Sequence, residues 1–220
     1  MIANEKRMAT LLGAADADPQ TLAQALQLAP RLYCADGGAN TALDMGLAPV
    51  SVIGDLDSLA PEARARLACP ILHDTDQDST DFEKILSHVS EDILICMGFL
   101  GQRLDHSLAA MNALSKFPDK RAILVGDEDI CFLSPPEMRI DATPGDRVSL
   151  FPMRKSRGKS HGLHWPLDPH VLHPHKRTAT SNRASDSVVH LYEVSGALLV
   201  ILPQSYLAAV VTAFLSMPAG

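Results

Sequence analysis

The chain has 220 residues, of which 46% are hydrophobic and 20% charged, as is typical of a globular protein with one large domain or two smaller ones. Its formal net charge of -7 argues against a nucleic-acid partner, because nucleic-acid binders usually present a basic face. Four scattered cysteines without C-x-x-C spacing indicate neither a zinc knuckle nor a redox pair, and they fit a reducing, cytoplasmic location.

The two ends of the chain bear on export and membrane insertion. Residues 1–8 carry charges with no apolar run behind them, so we predict no signal peptide. Residues 196–220 carry no charge, yet Pro203, Gln204 and Ser205 divide them into halves too short to cross a bilayer. We therefore expect a buried strand over residues 197–202, then a short apolar helix, and no membrane partner.

The first part of the chain alternates short apolar runs with stretches of helical periodicity. Predicted strands cover residues 8–12, 32–35, 50–53, 92–97 and 122–125. Predicted helices cover residues 21–28, 41–45, 61–67 and 104–114. A further helix begins at Thr80, which has Glu83 at capping-box spacing. Strands that alternate with helices predict an α/β fold with a parallel, Rossmann-like sheet.

The pattern changes near Pro135-Pro136 to short alternating strands. These strands are predicted over residues 138–142, 147–151, 188–194 and 197–202. Residues 143–146 predict a turn between the first two strands, and Ser195-Gly196 predicts a hairpin between the last two. We expect an α/β domain over residues 1–135 and a small all-β sandwich domain over residues 136–220, which ends in a short apolar tail.

Four segments of the predicted α/β domain carry polar residues at or between strand ends. In an open parallel sheet, ligands bind outside the carboxyl ends of the strands, so these segments are expected to form one cleft. The segments are D-G-G-A-N (36–40), D-L-D (55–57), H-D-T-D-Q-D-S-T-D-F-E (73–83) and G-F-L-G-Q-R (98–103).

The acidic side chains of these segments predict a metal site. Asp55 and Asp57 are two residues apart, so they point the same way if the chain is extended. With Asp36, Asp78 and Asp81 they bring several carboxylates into one cleft, which is unstable unless protons or a cation neutralise them. Carboxylate oxygens without clustered histidine or cysteine suit Mg²⁺, which also binds substrate phosphates.

The segment 98–103 is predicted to bind phosphate. Gly98 and Gly101 let backbone N–H groups approach an anion, and the N-terminus of the following helix adds a favourable dipole. Arg103 can bind two phosphate oxygens, and Asp105 can fix Arg103 or a ribose hydroxyl. An acidic, Mg²⁺-binding cleft and a phosphate ligand are therefore compatible.

The order of these motifs resembles the thiamine pyrophosphokinase family. The first part contributes A-D-G-G-A-N (35–40), G-D-L-D-S (54–58), D-Q-D-S-T-D-F-E-K (76–84) and G-x-L-G-x-R-x-D-H (98–106). The second part contributes P-G-D-R-V-S-L (144–150), G-L-H-W-P-L (162–167) and T-S-N (180–182). The resemblance implies an enzyme that transfers pyrophosphate from ATP to the thiamine hydroxyl, giving thiamine diphosphate and AMP.

The resemblance also implies a role for each matching residue. The implied ligands of Mg²⁺ are Asp55, Asp57 and Asp81, which together with Arg103 are the implied catalytic residues. The residues implied to face ATP are Asp36, Gly98, Gly101, Arg103 and Asp105. The residues implied to contact thiamine are Gln77, Asp81, Trp165, Ser181 and Asn182. In the family the thiamine site lies at a dimer interface, where the β-domain of one subunit closes the cleft of the other, so a homodimer is expected.

Two of the positions that depart from the family pattern lie beside predicted site residues. Gln102 stands where the family usually has a second glycine before Arg103. Arg183 follows Asn182 at a position that is often acidic or small in relatives. Both departures leave the implied reaction class intact.

Two other functions fit parts of the sequence. Asp55 and Asp57 form a D-x-D motif, and residues 126–129 approach G-D-x-x-D, as in phosphohydrolases of the haloacid-dehalogenase type, in which the first aspartate is the nucleophile. However, Leu59 replaces the Thr or Val of that motif, and Asp129 comes one residue too soon. The other alternative is a non-catalytic module that binds thiamine or a nucleotide in the same cleft.

Overall fold

The computed structural model describes residues 8–218, so the prediction about signal peptides at residues 1–8 lies almost wholly outside the described residues. The chain divides into two compact units. The first contains residues 8–113 and 122–127, and the second contains residues 114–121 and 128–218. The predicted change of character at Pro135-Pro136 lies in the second unit, and the domain boundary there stays a prediction.

The elements up to residue 125 alternate between strand and helix. The strands are β1 (Met8–Leu12), β2 (Leu32–Ala35), β3 (Ser51–Gly54), β4 (Ile71–His73), β5 (Ile93–Met97) and β6 (Arg121–Val125). The helices are α1 (Pro19–Leu28), α2 (Gly38–Asp44), α3 (Pro61–Arg66), α4 (Asp81–His88) and α5 (Leu104–Lys116).

The sheet of the first unit is parallel at its centre. Its strand order is β4-β3-β2-β1-β5-β6, and β1 pairs in parallel with both β2 and β5. Every residue of β1 and β5 is buried, as expected for central strands of a parallel sheet whose two faces are both covered. The loops after β1, β2, β3 and β5 therefore leave from the same edge of the sheet.

The elements of the second unit are mostly antiparallel strands. They are β7 (Asp129–Leu133), β8 (Met138–Asp141), β9 (Ser149–Pro152), β10 (Arg157–His161), β11 (Val188–Ser195), β12 (Leu198–Pro203) and, after a 3₁₀ turn, helix α6 (Leu207–Leu215). β12 lies antiparallel between β7 and β9, and β11 lies antiparallel between β10 and β8. The predicted fold class, a parallel α/β unit followed by a small antiparallel β unit, is confirmed.

The predicted hairpin around Ser195-Gly196 is wrong in its pairing. β11 and β12 follow each other in the chain but belong to different sheets, and so do β8 and β9. The chain changes sheets at Gly196, which has φ 94°, and a Cβ there would lie 2.5 Å from the Lys155 carbonyl oxygen. The turn over residues 143–146 is present, with the Asp146 N–H donating to the Thr143 carbonyl at 3.0 Å.

The uncharged tail forms the predicted strand and short helix. β12 is largely buried, and helix α6 buries Leu207, Val210 and Phe214 among others. Within residues 8–218, no helix is long and apolar enough to cross a membrane.

Candidate active site

The loops after β2 and β3 bring three carboxylates together. Asp36, Asp55 and Asp57 each offer a carboxylate oxygen, and these three atoms lie within 4.8 Å of one another. The reason differs from the predicted one, because the chain is not extended beyond β3. Leu56 has φ 68°, so a bend between the two aspartates, together with the neighbouring loop, directs both carboxylates to one point.

Asp36 is the buried member of this group, with 1% of its surface exposed. One oxygen, Oδ2, accepts a hydrogen bond from the Ser58 backbone N–H at 3.2 Å. The other, Oδ1, is buried without a hydrogen-bond partner in the described part of the chain. Burial raises the pKa of Asp36 to about 6, although the bond from Ser58 acts in the opposite direction. An unpartnered buried carboxylate oxygen is a place where a cation or a proton is favoured.

Asn40 joins the two aspartate loops. Its Nδ2 donates to the Ser58 carbonyl at 2.9 Å, and its Oδ1 accepts from the Ala60 N–H at 3.1 Å. Both groups of the amide are thus used to hold the loop that follows Asp57. The asparagine of the D-G-G-A-N motif therefore positions the acidic cluster and does not itself carry charge.

Lys84 is a member of the site to which the sequence alone gives no role. It lies on α4, whose start is fixed by the predicted capping box between Thr80 and Glu83. The side chain of Lys84 is only 2% exposed, and its Nζ lies 2.8 Å from Asp55 Oδ2 and 3.7 Å from Asp81 Oδ1. Its position three residues after Asp81 is the signal in the sequence, because residues at that spacing share a helix face.

The lysine changes the charge balance of the cluster. Its hydrogen bond holds the pKa of Asp55 below its usual range. Burial raises the pKa of Asp81, and attraction to Lys84 opposes that rise. Burial disfavours the ammonium form of Lys84, yet the bond and attraction from Asp55 leave its pKa raised. The cluster therefore holds one fixed positive charge before any metal binds.

A cavity of ≈ 250 Å³ lies in the first unit, lined in part by Asp81 and by the glycine-containing loops that follow β1 and β5. Its loop residues are Gly13, Ala14, Ala15, Gly98, Gly101, Gln102 and Arg103. Gly13 and Gly98 approach so closely that a Cβ on Gly13 would lie 2.4 Å from the Gly98 carbonyl oxygen. Gln102 has φ 45°, a left-handed backbone that a glycine would adopt without strain.

Arg103, at the end of the segment 98–103, forms an ion pair with Asp105 in the first turn of α5. Arg103 Nη2 lies 2.7 Å from Asp105 Oδ2, and each side chain is 66% exposed. Their hydrogen bond raises the pKa of Arg103 and lowers that of Asp105. Exposed ion pairs contribute roughly 0–1 kcal/mol, so an incoming phosphate can compete for the guanidinium.

The second unit contains a cavity of ≈ 280 Å³, lined by Trp165, Ser181 and Asn182 among others. These three residues are the thiamine contacts that the sequence predicts in the second part of the chain. Gln77 is exposed, donates weakly to the Thr75 carbonyl at 3.4 Å, and is not among the lining residues of either cavity.

Comparisons with known proteins agree on one family. A family model described as thiamin pyrophosphokinase, catalytic domain, matches residues 22–125. The chain is 30% identical over 184 residues to thiamine pyrophosphokinase 3 of Oryza sativa subsp. japonica, and the aligned region covers 64% of this chain and 69% of that protein. It is 28% identical over 193 residues to thiamine pyrophosphokinase 1 of the same plant, and the aligned region covers 72% of this chain and 73% of that protein.

A solved structure extends this likeness to the fold. The thiamine pyrophosphokinase of Bacillus subtilis superposes with a TM-score of 0.74 at 23% sequence identity. The superposition covers 89% of this chain and 98% of that chain. At this identity the match shows that the two proteins share a fold.

Proposed function

This chain belongs to the thiamine pyrophosphokinase family, and we propose that it transfers pyrophosphate from ATP to thiamine. The thiamine hydroxyl oxygen forms a bond with the β-phosphorus of ATP. The bond from that phosphorus to the oxygen shared with the α-phosphorus breaks, so AMP leaves and thiamine diphosphate is the product. The hydroxyl proton passes to an acceptor.

One observation carries the proposal: carboxylates, a buried lysine and a glycine-lined cavity occur together at one edge of a parallel sheet. Asp36, Asp55 and Asp57 converge within 4.8 Å, and Lys84 joins Asp55 to Asp81, which lines the cavity. Pyrophosphoryl transfer depends mainly on positioning and on stabilising phosphate charge, and this arrangement supplies charged groups for both.

The donor set fits a divalent metal, and we assign Mg²⁺. The atoms are all carboxylate oxygens, and the buried Oδ1 of Asp36 lacks a partner among the described residues. Asp55, Asp57 and Asp81 are the proposed ligands, and Lys84 Nζ lies 2.8 Å from Asp55 and 3.7 Å from Asp81. When bound, the ion neutralises phosphate charge and makes the β-phosphorus more electrophilic.

The chain's own side chains have distinct roles in this proposal. Gly98 and Gly101 let the backbone approach the triphosphate, and Arg103 leaves Asp105 to bind phosphate oxygens. Asp81 is the proposed proton acceptor, because burial raises its pKa toward the value that suits a general base. Asp105 is then free to bind a ribose hydroxyl of ATP.

Thiamine is assigned to the residues around Trp165. Trp165 offers an aromatic face to the cationic thiazolium ring, and Ser181 and Asn182 line the same cavity. The proposal includes Gln77 as a thiamine contact. It also includes a homodimer with the thiamine site at the subunit interface, which sedimentation equilibrium with and without thiamine tests. A cytoplasmic location is supported by four free cysteines.

One assay tests the reaction. The protein is incubated with ATP, Mg²⁺ and thiamine, and AMP and thiamine diphosphate are measured over time. Equal formation of both products supports the proposal. Phosphate release that is independent of thiamine indicates the haloacid-dehalogenase alternative, and tight binding without turnover indicates a non-catalytic module. Neither alternative is favoured by the comparisons.

Asp57→Asn tests the metal assignment. We expect turnover to be abolished, because the change removes one carboxylate charge from the cluster. Asp44→Asn is the matched control, since Asp44 has a side chain that is 78% exposed and lies outside the cluster. A near-normal rate for Asp57→Asn at ordinary Mg²⁺ concentration contradicts the assignment.

Removal of metals tests the choice of ion independently. Chelation of Mg²⁺ is expected to abolish activity, and a zinc-selective chelator is expected to leave it unchanged. Activity that survives without Mg²⁺ and disappears with the zinc chelator contradicts the choice of Mg²⁺.

A further inference from the structure

Trp165 is the single tryptophan of the chain, and half of it is exposed. Its backbone is held by the buried side chain of Asn182. Asn182 Oδ1 accepts from the Trp165 N–H at 3.2 Å, and Asn182 Nδ2 donates to the Trp165 carbonyl at 2.8 Å. The same Oδ1 accepts from the Arg183 N–H at 2.8 Å, so one amide fixes both segments. The backbone beneath the indole is therefore rigid, although the ring itself projects outward.

The indole ring is held by two neighbours. The guanidinium carbon of Arg183 lies over the ring at 5.2 Å from its centroid. The His164 ring meets the indole edge-on, with centroids 4.4 Å apart and an interplanar angle of 84°. A backbone hydrogen bond of 2.9 Å from the His164 N–H to the Arg183 carbonyl joins these two neighbours.

We infer that Arg183 is a positioning residue for Trp165. Its guanidinium covers one face of the indole and leaves the opposite face for the flat cationic ring of the substrate. The identity of that substrate rests on the proposed function, but the positioning of the ring does not. The stacking of Arg183 on the ring is therefore a second means of ordering Trp165, beyond the hydrogen bonds of Asn182 to its backbone.

The geometry also decides between two opposed effects of the guanidinium. Stacking orders the ring and so favours substrate binding, whereas a positive charge near a cationic substrate disfavours it. The guanidinium and a substrate on the opposite face are separated by the indole, and Arg183 is exposed to solvent. At physiological salt the Debye length is about 8 Å, so repulsion across the ring is weakened. We expect the ordering effect to be the larger one, and the kinetic test below measures the net result.

The intrinsic fluorescence of Trp165 provides a direct test, because no other tryptophan contributes. The purified full-length protein is compared with Arg183→Thr and Arg183→Lys. For Arg183→Thr we expect lower steady-state anisotropy and greater quenching by acrylamide. Lysine keeps the charge but lacks a planar group to stack, so Arg183→Lys is expected to resemble Arg183→Thr more than the wild type. Arg139→Thr, an exposed arginine on β8, is the control for the loss of one charge.

Kinetics provide the second readout. Arg183→Thr is expected to raise KM for thiamine by about two- to fivefold, the fold-change that corresponds to an exposed cation–π contact, with a smaller change in kcat. Unchanged anisotropy and quenching in both Arg183 variants overturn the inference, whatever the kinetics. If Arg183→Thr does not fold, Arg183→Lys alone decides by the same criteria.

The outcomes separate this inference from the proposed function. Loss of ring order in the Arg183 variants, in a protein that neither binds nor converts thiamine, supports the positioning role and contradicts the proposed function. Normal turnover of thiamine with unchanged fluorescence in those variants supports the proposed function and overturns the inference.

Discussion

Lys84 is the residue on which the charge balance of the acidic cluster depends. Its ammonium group is almost completely buried and bonds Asp55 at 2.8 Å. The side chain of Asp55 is 22% exposed, and a part-buried carboxylate that loses its partner keeps part of its desolvation cost without compensation. The lysine therefore allows aspartates to gather at the edge of the sheet before a metal arrives.

Replacing Lys84 by methionine tests this role. We expect Lys84→Met to lower the free energy of unfolding by about 1–3 kcal/mol in the absence of divalent metal, because Asp55 loses a charged hydrogen bond. Added Mg²⁺ is expected to restore part of that loss, since it supplies positive charge to the same carboxylates. Urea denaturation with and without Mg²⁺ measures both effects.

The matched control is Lys159→Met. Lys159 forms an ion pair with Glu193 at the same 2.8 Å, but its side chain is 45% exposed. Surface pairs contribute roughly 0–1 kcal/mol, so this variant should change little and should not respond to Mg²⁺. Equal losses for both variants would contradict a special role for Lys84.

Asp36 predicts a pH dependence of stability. Its pKa is about 6 in the folded protein and near 3.8 when unperturbed, so between these values the folded state holds a proton that the unfolded state has lost. This contribution therefore destabilises the protein progressively as pH rises from about 4 to about 6 and then stays constant.

Asp36→Asn isolates that contribution, because the amide resembles the protonated acid at every pH. In metal-free buffer we expect wild type and variant to have similar unfolding free energies near pH 4. Above pH 6 the variant should be more stable by up to about 2–3 kcal/mol. A difference between the two that does not vary with pH would show that Asp36 is not protonated in this range.

At the scale of elements, the approach of α2 to the end of β1 depends on a missing side chain. A Cβ at Gly38 would lie 2.1 Å from the Leu12 carbonyl oxygen. This proximity brings the start of α2 against the end of β1, next to the loop that carries Asp36. Sequence periodicity places the helix start at residue 41, and the structure places it at Gly38.

Gly38→Ala and Gly46→Ala form an informative pair. Gly46 follows the end of α2 with φ 70°, and no atom of the described residues lies within 4 Å of the point that a Cβ would occupy there. Alanine at Gly46 therefore costs only about 1–2 kcal/mol of backbone strain. Gly38→Ala meets backbone that cannot move aside, and we expect a loss of about 3 kcal/mol or more. Thermal or urea unfolding compares them, and an equal or smaller loss for Gly38→Ala would contradict the packing argument.

Three strands escaped prediction, two of them for a physical reason. β4 has three residues, two of them exposed, and β10 is the polar segment R-G-K-S-H, so neither shows apolar alternation. β7 carries the apolar run I-C-F-L and was as predictable as the other apolar strands. The apolar strands, the capping box at Thr80 and the turn at residues 143–146 were predictable, because each is encoded by neighbouring residues.

At the scale of the whole molecule, the net charge of -7 favours the approach of thiamine, the cationic substrate. A protein of net negative charge attracts cationic thiamine over a distance set by the Debye length. Raising the ionic strength from about 0.05 M to about 0.5 M shortens that length from roughly 14 Å to roughly 4 Å. Long-range attraction of thiamine is therefore lost at high salt, whereas contacts within the site are less affected.

We expect KM for thiamine to rise roughly two- to threefold over this range of salt, with a smaller change in kcat. Initial rates at saturating ATP and Mg²⁺ measure the effect. An uncharged osmolyte at matched osmolality is the control, because it alters solvation without screening charge. A KM for thiamine that stays constant with salt would show that net charge does not assist its binding.

The sequence by itself determined the alternation of strands and helices, the apolar tail and the ordered motifs that identify the family. These features are local, because periodicity, caps and turns depend on residues within a few positions of one another. Only the tertiary structure decided which strands pair, that Lys84 is buried against Asp55, and that Arg183 stacks on Trp165. Lys84 and Asp55 are 29 residues apart in the chain, and their contact depends on which neighbours exclude water. The spacing of neighbouring residues predicts neither the contact between Lys84 and Asp55 nor the burial of Lys84.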